Sequence, residues 1–501
     1  MHHLLNLLIW LPILGGVFVF LTGDDNNPNV SRFLSLFTVI LTMIMCIPLV
    51  MGFDVSSYSM QFVEETNWMP ALGINYTLGI DGLSLLLIML SIFTNLIVIL
   101  STWDSIHKRV GQYMASFLIM QGLLVGVFAA TDAIVFYIFW EATLIPMYLI
   151  IGIWGSDNRV YAAIKFFLYT FLGSVLMLAA FLYMGYQVGT FNIETFYSLK
   201  LGMAAQTLIL IGFFFAFAVK IPMFPVHTWL PDAHTEAPAG GSVVLAAVLL
   251  KLGAYGFIRF ALPIVPDACS KYAMVMIALS LIAVVYIGLI AIIQQDMKRL
   301  IAYSSISHMG FVTLGSFAIF SIAHNSSLSN AGLILEGAIV IIISHGFVAS
   351  GLFAGVGFIY ERMHTRQIKD FGGLVNTMPI FASFFLLICL ANAGLPGTSG
   401  FVGEFMVILG AMKANFWLAF WAATTLITGA AYTLWMYKRV VFGPITNEKV
   451  ANLKDLNGFE ISAYTLLALM VITLGVYPKP MLEFVHQSVS HTLTLADKSK
   501  L

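Results

Sequence analysis

"FAVKIPMFPVHTWLPDAHTEAP", residues 217–238, closes an apolar run of membrane-spanning length and breaks the rules of such a run. It carries Lys220, then Pro222 and Pro225, then His227 and His234 with Asp232 and Glu236. Proline removes a backbone donor and leaves carbonyls of the preceding turn without partners. Irregular backbone and charge are tolerated at that depth only where protein or a polar cavity solvates them. The stretch therefore poses two questions: whether the surroundings are a membrane, and which other groups share the charge.

The surroundings follow from composition. Of 501 residues, 60% are hydrophobic and 9% charged, whereas soluble domains carry about 25% charge. Apolar runs repeatedly reach the ~20 residues that cross a hydrocarbon core, and the short alternating segments of a β-barrel are missing from the sequence. An all-α polytopic membrane protein is the reading. A net charge of −1 argues against a nucleic-acid binder or a peripheral basic protein. Cys46, Cys269 and Cys389 are too scattered for a disulfide framework or a zinc or iron–sulfur site. The opening apolar stretch has no basic start and no cleavage site, so it reads as a first span rather than a signal peptide.

Cutting at polar and Pro/Gly clusters gives about 14 spans: 4–22, 32–52, 83–102, 112–130, 132–153, 162–185, 205–229, 240–261, 272–293, 300–321, 332–359, 379–409, 415–437 and 461–478. Two are interrupted, 205–229 at its prolines and 379–409 at "NAGLPGTSG" (392–400). With the N-terminus outside, the inner loops hold about twice as many Lys and Arg as the outer ones, Lys298 among the inner and Arg259 among the outer. Both termini then lie outside, 53–82 is an outer loop and 230–238 an inner one. The chain divides into 1–111, a five-span block 112–261, a second block 262–437, and a C-terminal loop with a last helix in 438–501. Each block has its broken span fourth, and an odd span number gives the two blocks opposite topology. Paired interrupted segments at matching positions point to a transporter's ion site.

Charges deep in the spans are few: Glu141 in "IFWEATLIPMYLI", Lys220, Lys251 in "AAVLLKLGAYGF" and Glu404 in "GFVGEFMVILG". Each costs roughly 2.5–3.5 kcal/mol at a helix centre, so leucine would serve packing better. His308 in "SSISHMGF" and His345 in "IIISHGFVASG" lie in similar company, and core packing competes with a relay role for both. His227 and His234 read as capping or uptake-path residues, and Asp81 in "GIDGLSLLL" as a helix N-cap. A desolvated ammonium releases its proton more readily and an approaching carboxylate holds it back. A lysine whose acidic partner comes and goes is thus a switchable proton site, with the broken helix supplying hydration beside Lys220.

"HTWLPDAHTEAPAGGSVVLAAVLLKLGAYGFIRF" (227–260), "RLIAYSSISHMGF" (299–311) and "LPGTSGFVGEF" (395–405) resemble the signatures of the antiporter-like membrane subunits of respiratory complex I, and the resemblance spans the chain. Glu404, where L- and N-type subunits carry lysine, and the lack of a long lateral helix favour the M-type branch. The resemblance implies two inverted five-helix repeats, each with a discontinuous helix. It implies Glu141 and Lys220 as a switching ion pair, Lys251 as central carrier, Glu404 as the terminal site, and His308 and His345 as links. It further implies a proton-translocating subunit of a bacterial inner-membrane NADH:quinone oxidoreductase, partnered by L- and N-type subunits. The chain itself would hold no cofactor or metal, with FMN, iron–sulfur clusters and quinone in other subunits. The polar stretch 323–332 reads as an insertion between the two histidines. Rival readings are a subunit of a multi-subunit Na⁺/H⁺ antiporter or membrane-bound hydrogenase, a structural spacer, and a stand-alone transporter.

Overall fold

The computed structural model describes residues 3–325, 327–445 and 447–501, so residue 326 of the 323–332 stretch lies outside the described residues. Among these, 12 helices are long and apolar enough to cross a membrane. In chain order the helices used below are α1 (Leu4–Thr22), α2 (Pro28–Met51), α3 (Gly82–Ser101), α4 (Val110–Ala129), α5 (Ala133–Trp154, with a turn at Thr143) and α6 (Arg159–Val188). They continue as α7 (Met203–Lys220), α8 (Trp229–Glu236), α9 (Ala239–Ile264), α10 (Pro266–Ile292), α11 (Met297–Asn325) and α12 (Gly332–Met363). Last come α13 (Pro379–Asn392), α14 (Ser399–Ala414), α15 (Phe416–Val441), α16 (Gly458–Val476) and α17 (Lys479–Ala496). The pair α13/α14 and the 26-residue α15 are further candidates, shorter or less apolar than the twelve.

Burial sorts the helices by role. The best 18-residue windows of α9 and of the span containing α12 are 100% buried by protein, and those of α3 and α11 89%. For α1, α2 and α16 the figure is 33–39%, with large apolar side chains such as Leu14, Phe18 and Ile44 turned outward. An apolar side chain loses nothing by facing acyl chains, so the outer helices need no polar face. The four central helices can carry polar groups because other helices surround them.

Backbone pairing marks two opposite ends. At one, α1 is tied to a hairpin of β1 (Gln61–Met69) and β2 (Ile74–Ile80): Glu64 accepts from Leu5 N at 2.7 Å, and Leu78 bridges Ala130. Lys500 N donates to Asp267 and Leu201 N to the Lys500 carbonyl, drawing the C-terminus onto the same end. At the other end Ser156 N donates to the Glu236 carbonyl, Met297 N to Arg366, and Arg366 Nε to Asp296 at 2.7 Å.

The structure departs from the sequence reading in four places. The loop 53–82 contains the hairpin, a small β element in an otherwise helical chain. The loop 230–238 is mostly the helix α8, because Pro231 and Asp232 suit a first helical turn. The C-terminal segment holds α17 beyond its last span; it lies on the ends of α3 and α9, where Gly82 N donates to Ser488 Oγ. Arg259 and Lys298, read as loop charges, are 8% and 3% exposed, because α9 runs three residues past 261 and α11 begins at Met297.

Candidate functional site

The site is built outward from α9. Its segment Leu245–Leu249 is a π-turn, which offsets backbone pairing by one residue. Lys251, fully buried, turns Nζ back to the Ala246 carbonyl at 2.7 Å inside that turn. The second contact of the ammonium is His345 Nδ1 on α12, at 2.6 Å. The two helices approach this closely at Gly346, where any Cβ would stand 3.2 Å from the Ala247 carbonyl.

From His345 the polar contacts continue. Its ring centroid is 5.7 Å from that of His308 on α11, at an interplanar angle of 54°. His308 Nδ1 lies 2.8 Å from Glu404 Oε1 on α14, both groups being buried. Gly403 sits against the backbone of Gly337, so α14 and α12 are in close contact where Glu404 enters. His308, His345, Ser344, Asn392 and Glu404 line a cavity of about 10 Å³, close to the ~10–15 Å³ that one water molecule requires. Asn392 ends α13 and Gly400 lies in the first turn of α14, so both sides of the second break face this cavity. Asn392 Nδ2 donates to Ser304 Oγ and Thr433 Oγ1, and Ser304 Oγ to Tyr432 OH, giving the site a hydroxyl surround.

Each group in this row can hold or release a proton. A neutral imidazole accepts on one nitrogen and donates on the other. Lys251 donating to His345 Nδ1 leaves Nε2–H of that ring to donate onward. His308 donating from Nδ1 to Glu404 keeps Nε2 as an acceptor, and that atom has no hydrogen-bond partner among the described residues. Lys251, His345, His308 and Glu404, drawn from four helices, thus stand in one row, in polar contact at its two ends and with the two imidazole centroids 5.7 Å apart in the middle.

Glu141 and Lys220 are arranged differently from the ion pair expected of them. Lys220, 1% exposed at the end of α7, makes no hydrogen bond among the described residues, and its Nζ lies 5.3 Å from the Trp140 ring centroid and 5.7 Å from that of Phe166. Cation–π attraction holds it there. Glu141 faces Ser174, Tyr137 and the charge of Lys220, yet no ion pair within 4.0 Å joins the two among the described residues. The hydration expected at the break is partly replaced by protein: Trp229 Nε1 donates to the Val219 carbonyl at 2.8 Å, and Met223 N to Ala218.

Sequence reasoning undervalued two groups. His234 on α8 is fully buried, stacks on Phe353 at 4.4 Å and lies within electrostatic range of Lys251 and Lys298. Lys298 Nζ donates to the Ala237 carbonyl at 2.6 Å. Together they stand between the charged end of the molecule and Lys251. The polar ladder Ser304, Ser307 and His308 at helical spacing marked the inward face of α11 but not Lys298, six residues earlier. Asp81 caps α3 through Ser84 N as read, and also pairs with Arg259.

A family model described as NADH:quinone oxidoreductase/Mrp antiporter, TM matches residues 130–428. The chain is 45% identical over 507 residues to the NADH-quinone oxidoreductase subunit M of Rhodobacter capsulatus, covering 98% of this chain and 96% of that one. It is 43% identical to NADH-ubiquinone oxidoreductase chain 4 of Marchantia polymorpha, with 97% and 96% covered. Among solved structures, a chain of respiratory complex I from Thermus thermophilus with bound NADH superimposes with a TM-score of 0.88 at 31% identity, over 99% of this chain and 100% of that one.

Proposed function

Because the chain belongs to the subunit M family of NADH-quinone oxidoreductases, we propose that it moves protons through Lys220, Lys251, His345, His308 and Glu404, with Glu141 setting the proton affinity of Lys220. One observation supports this reading: the row from Lys251 Nζ through two neighbouring imidazoles, 5.7 Å apart, to Glu404, with polar contacts of 2.6 and 2.8 Å at its two ends. A packing role would not need four ionisable groups in a row where insertion disfavours a charged side chain by roughly 2.5–3.5 kcal/mol.

In this reading quinone reduction elsewhere in the complex rearranges charge along the membrane arm. The negative charge on Glu141 draws closer to Lys220 or away from it, and Lys220 takes up or passes on a proton. His234 and Lys298 are the groups between the charged end and Lys251, which exchanges its proton with His345. Glu404 receives it through His308 and delivers it to the far half of the molecule. Redox centres belong to other subunits, and L- and N-type subunits flank this one. The even span count and the Lys/Arg bias support both termini on the periplasmic side of a bacterial plasma membrane. The two breaks, at 221–228 and 393–398, support two inverted five-helix repeats within a fourteen-span fold.

The test is NADH-driven proton uptake into inverted membrane vesicles, measured with electron transfer in the same sample. Glu404→Ala and Lys220→Ala in assembled complex should lose most of the pumping. Normal pumping in both variants would refute the assignment and leave the spacer reading. Transport by the isolated chain in liposomes would favour the stand-alone reading.

A further inference from the structure

The relay as drawn runs sideways from Lys251, yet α9 also leads straight from Lys251 to the hairpin end. Lys251, Tyr255 and Arg259 are spaced i, i+4 and i+8 along one helix, and neighbours four apart share a face. Eight residues rise about 12 Å. Tyr255 is 2% exposed and Arg259 8%, and Arg259 lines a polar cavity of about 560 Å³ with Glu194, Lys200, His491 and Lys498. Tyr255 and Arg259 are therefore the polar side chains that follow Lys251 on this face before an open cavity at the end of the molecule, while Lys251 Nζ itself turns the other way, to the Ala246 carbonyl.

The chemistry of the two groups decides whether protons pass. Arg259 Nε–H donates to Tyr255 OH at 3.2 Å, and Nη2 donates to Asp81 Oδ1 and to Ser84 Oγ. Guanidinium has five donors, no acceptor, and does not deprotonate in proteins. A proton moves along hydrogen bonds only where each group accepts on one side and donates on the other. Tyr255 receives a permanent N–H from the cavity side, and its own hydrogen goes sideways to the Phe128 carbonyl at 3.4 Å or toward Ser84 Oγ at 3.3 Å. A proton leaving Lys251 in this direction meets a donor-only group, and Asp81 holds that group in place. A fixed cation on a pore wall also repels protons.

We propose that Arg259, positioned by Asp81, is a proton insulator: it closes the direct path from Lys251 through Tyr255 to the cavity, so that the proton on Lys251 has only the lateral exit through His345. The inference rests on the relay reading for Lys251. Its test is purified complex in liposomes, with passive proton leak measured under an imposed potassium diffusion potential without NADH, and protons pumped per electron measured with it. Arg259→Gln places an acceptor in the column. The leak should rise severalfold and protons per electron should fall, while electron transfer continues. Adding Tyr255→Phe should restore tightness. Adding Lys251→Ala should abolish the leak. Because Arg259→Gln strands Asp81, the double variant Asp81→Asn/Arg259→Gln, which keeps a neutral hydrogen-bonding pair, is made alongside it. Assembled double variant as tight and as coupled as the parent overturns the proposal, as does a leak that survives Lys251→Ala. Failure of the relay reading is distinguishable, because Lys251→Ala alone would then pump normally.

Discussion

Lys251→Arg separates a charge that holds helices together from a charge that moves. Lys251 is fully buried, with Ala246 O and His345 Nδ1 as its two acceptors. Arginine retains the cation and can donate to both acceptors, so a structural ammonium would be largely replaced. Proton release would not be. Arginine holds its proton more tightly than lysine by about 2–3.4 pH units, or about 3–4.5 kcal/mol at ~1.36 kcal/mol per unit. Burial acts on both cations in the same direction, so that difference survives in the site. As an added barrier it slows release about 10²–10³-fold. Lys251→Met, which removes the cation, strands two acceptors at about 1–3 kcal/mol each and reports on assembly. The assay is the ratio of proton uptake to electron transfer in inverted vesicles, normalised to the amount of assembled complex. The expected result is assembled Lys251→Arg complex with pumping close to zero. Parental pumping per electron in that variant would refute the claim that Lys251 gives up its proton in turnover.

Three further outcomes follow from the same geometry. Glu404→Gln keeps a hydrogen bond to His308 but removes the proton acceptor, so assembly should stay near normal while pumping is lost; pumping per electron in vesicles checks it. Trp229→Phe removes the N–H that satisfies the Val219 carbonyl, which should destabilise the break by about 1–3 kcal/mol and lower the heat-inactivation midpoint of the complex. Gly82→Ala drives a Cβ into the Phe484 carbonyl; overpacking of this kind disfavours the docked state by about 1–3 kcal/mol, and limited proteolysis should cleave α17 faster than in the parent.

What the sequence made legible follows from what a single charge means in hydrocarbon. Lys251 and Glu404 stand alone in apolar runs, so disfavoured burial alone marks them, and the structure gives each a buried polar partner. Both breaks were readable because proline and clustered glycine cannot continue a helix. The separation of Lys220 from Glu141 was not readable, since it depends on how Trp140 and Phe166 pack around the ammonium. Arg259 and Lys298 were misplaced for a different reason. Loop counting assumes that a charge near the end of an apolar run is solvated, whereas here neighbouring helices enclose both. The hairpin escaped because its strands, QFVEETNWM and INYTLGI, flank a Pro/Gly turn inside a segment that reads as loop.

The separation of Glu141 from Lys220 bears on how a distant event could move a proton here. Two unit charges 4 Å apart attract by about 4 kcal/mol at an effective dielectric constant of ~20, and by about 2 kcal/mol at 8 Å. Closing or opening the pair therefore changes the proton affinity of Lys220 by about 2 kcal/mol, comparable to the ~2.3 kcal/mol needed to carry one charge against 100 mV. A pair locked in contact would hold its proton throughout the cycle, and a pair far apart would never be felt. The observed arrangement, with the ammonium resting against two aromatic rings and the carboxylate facing Ser174 and Tyr137, has neither fault. Glu141 lies two residues before the turn at Thr143 that divides α5, and Lys220 lies at the end of α7 where regular helix stops. Lys220 thus sits where backbone is least constrained by continuous helix, so a small displacement there alters the separation without unfolding a span.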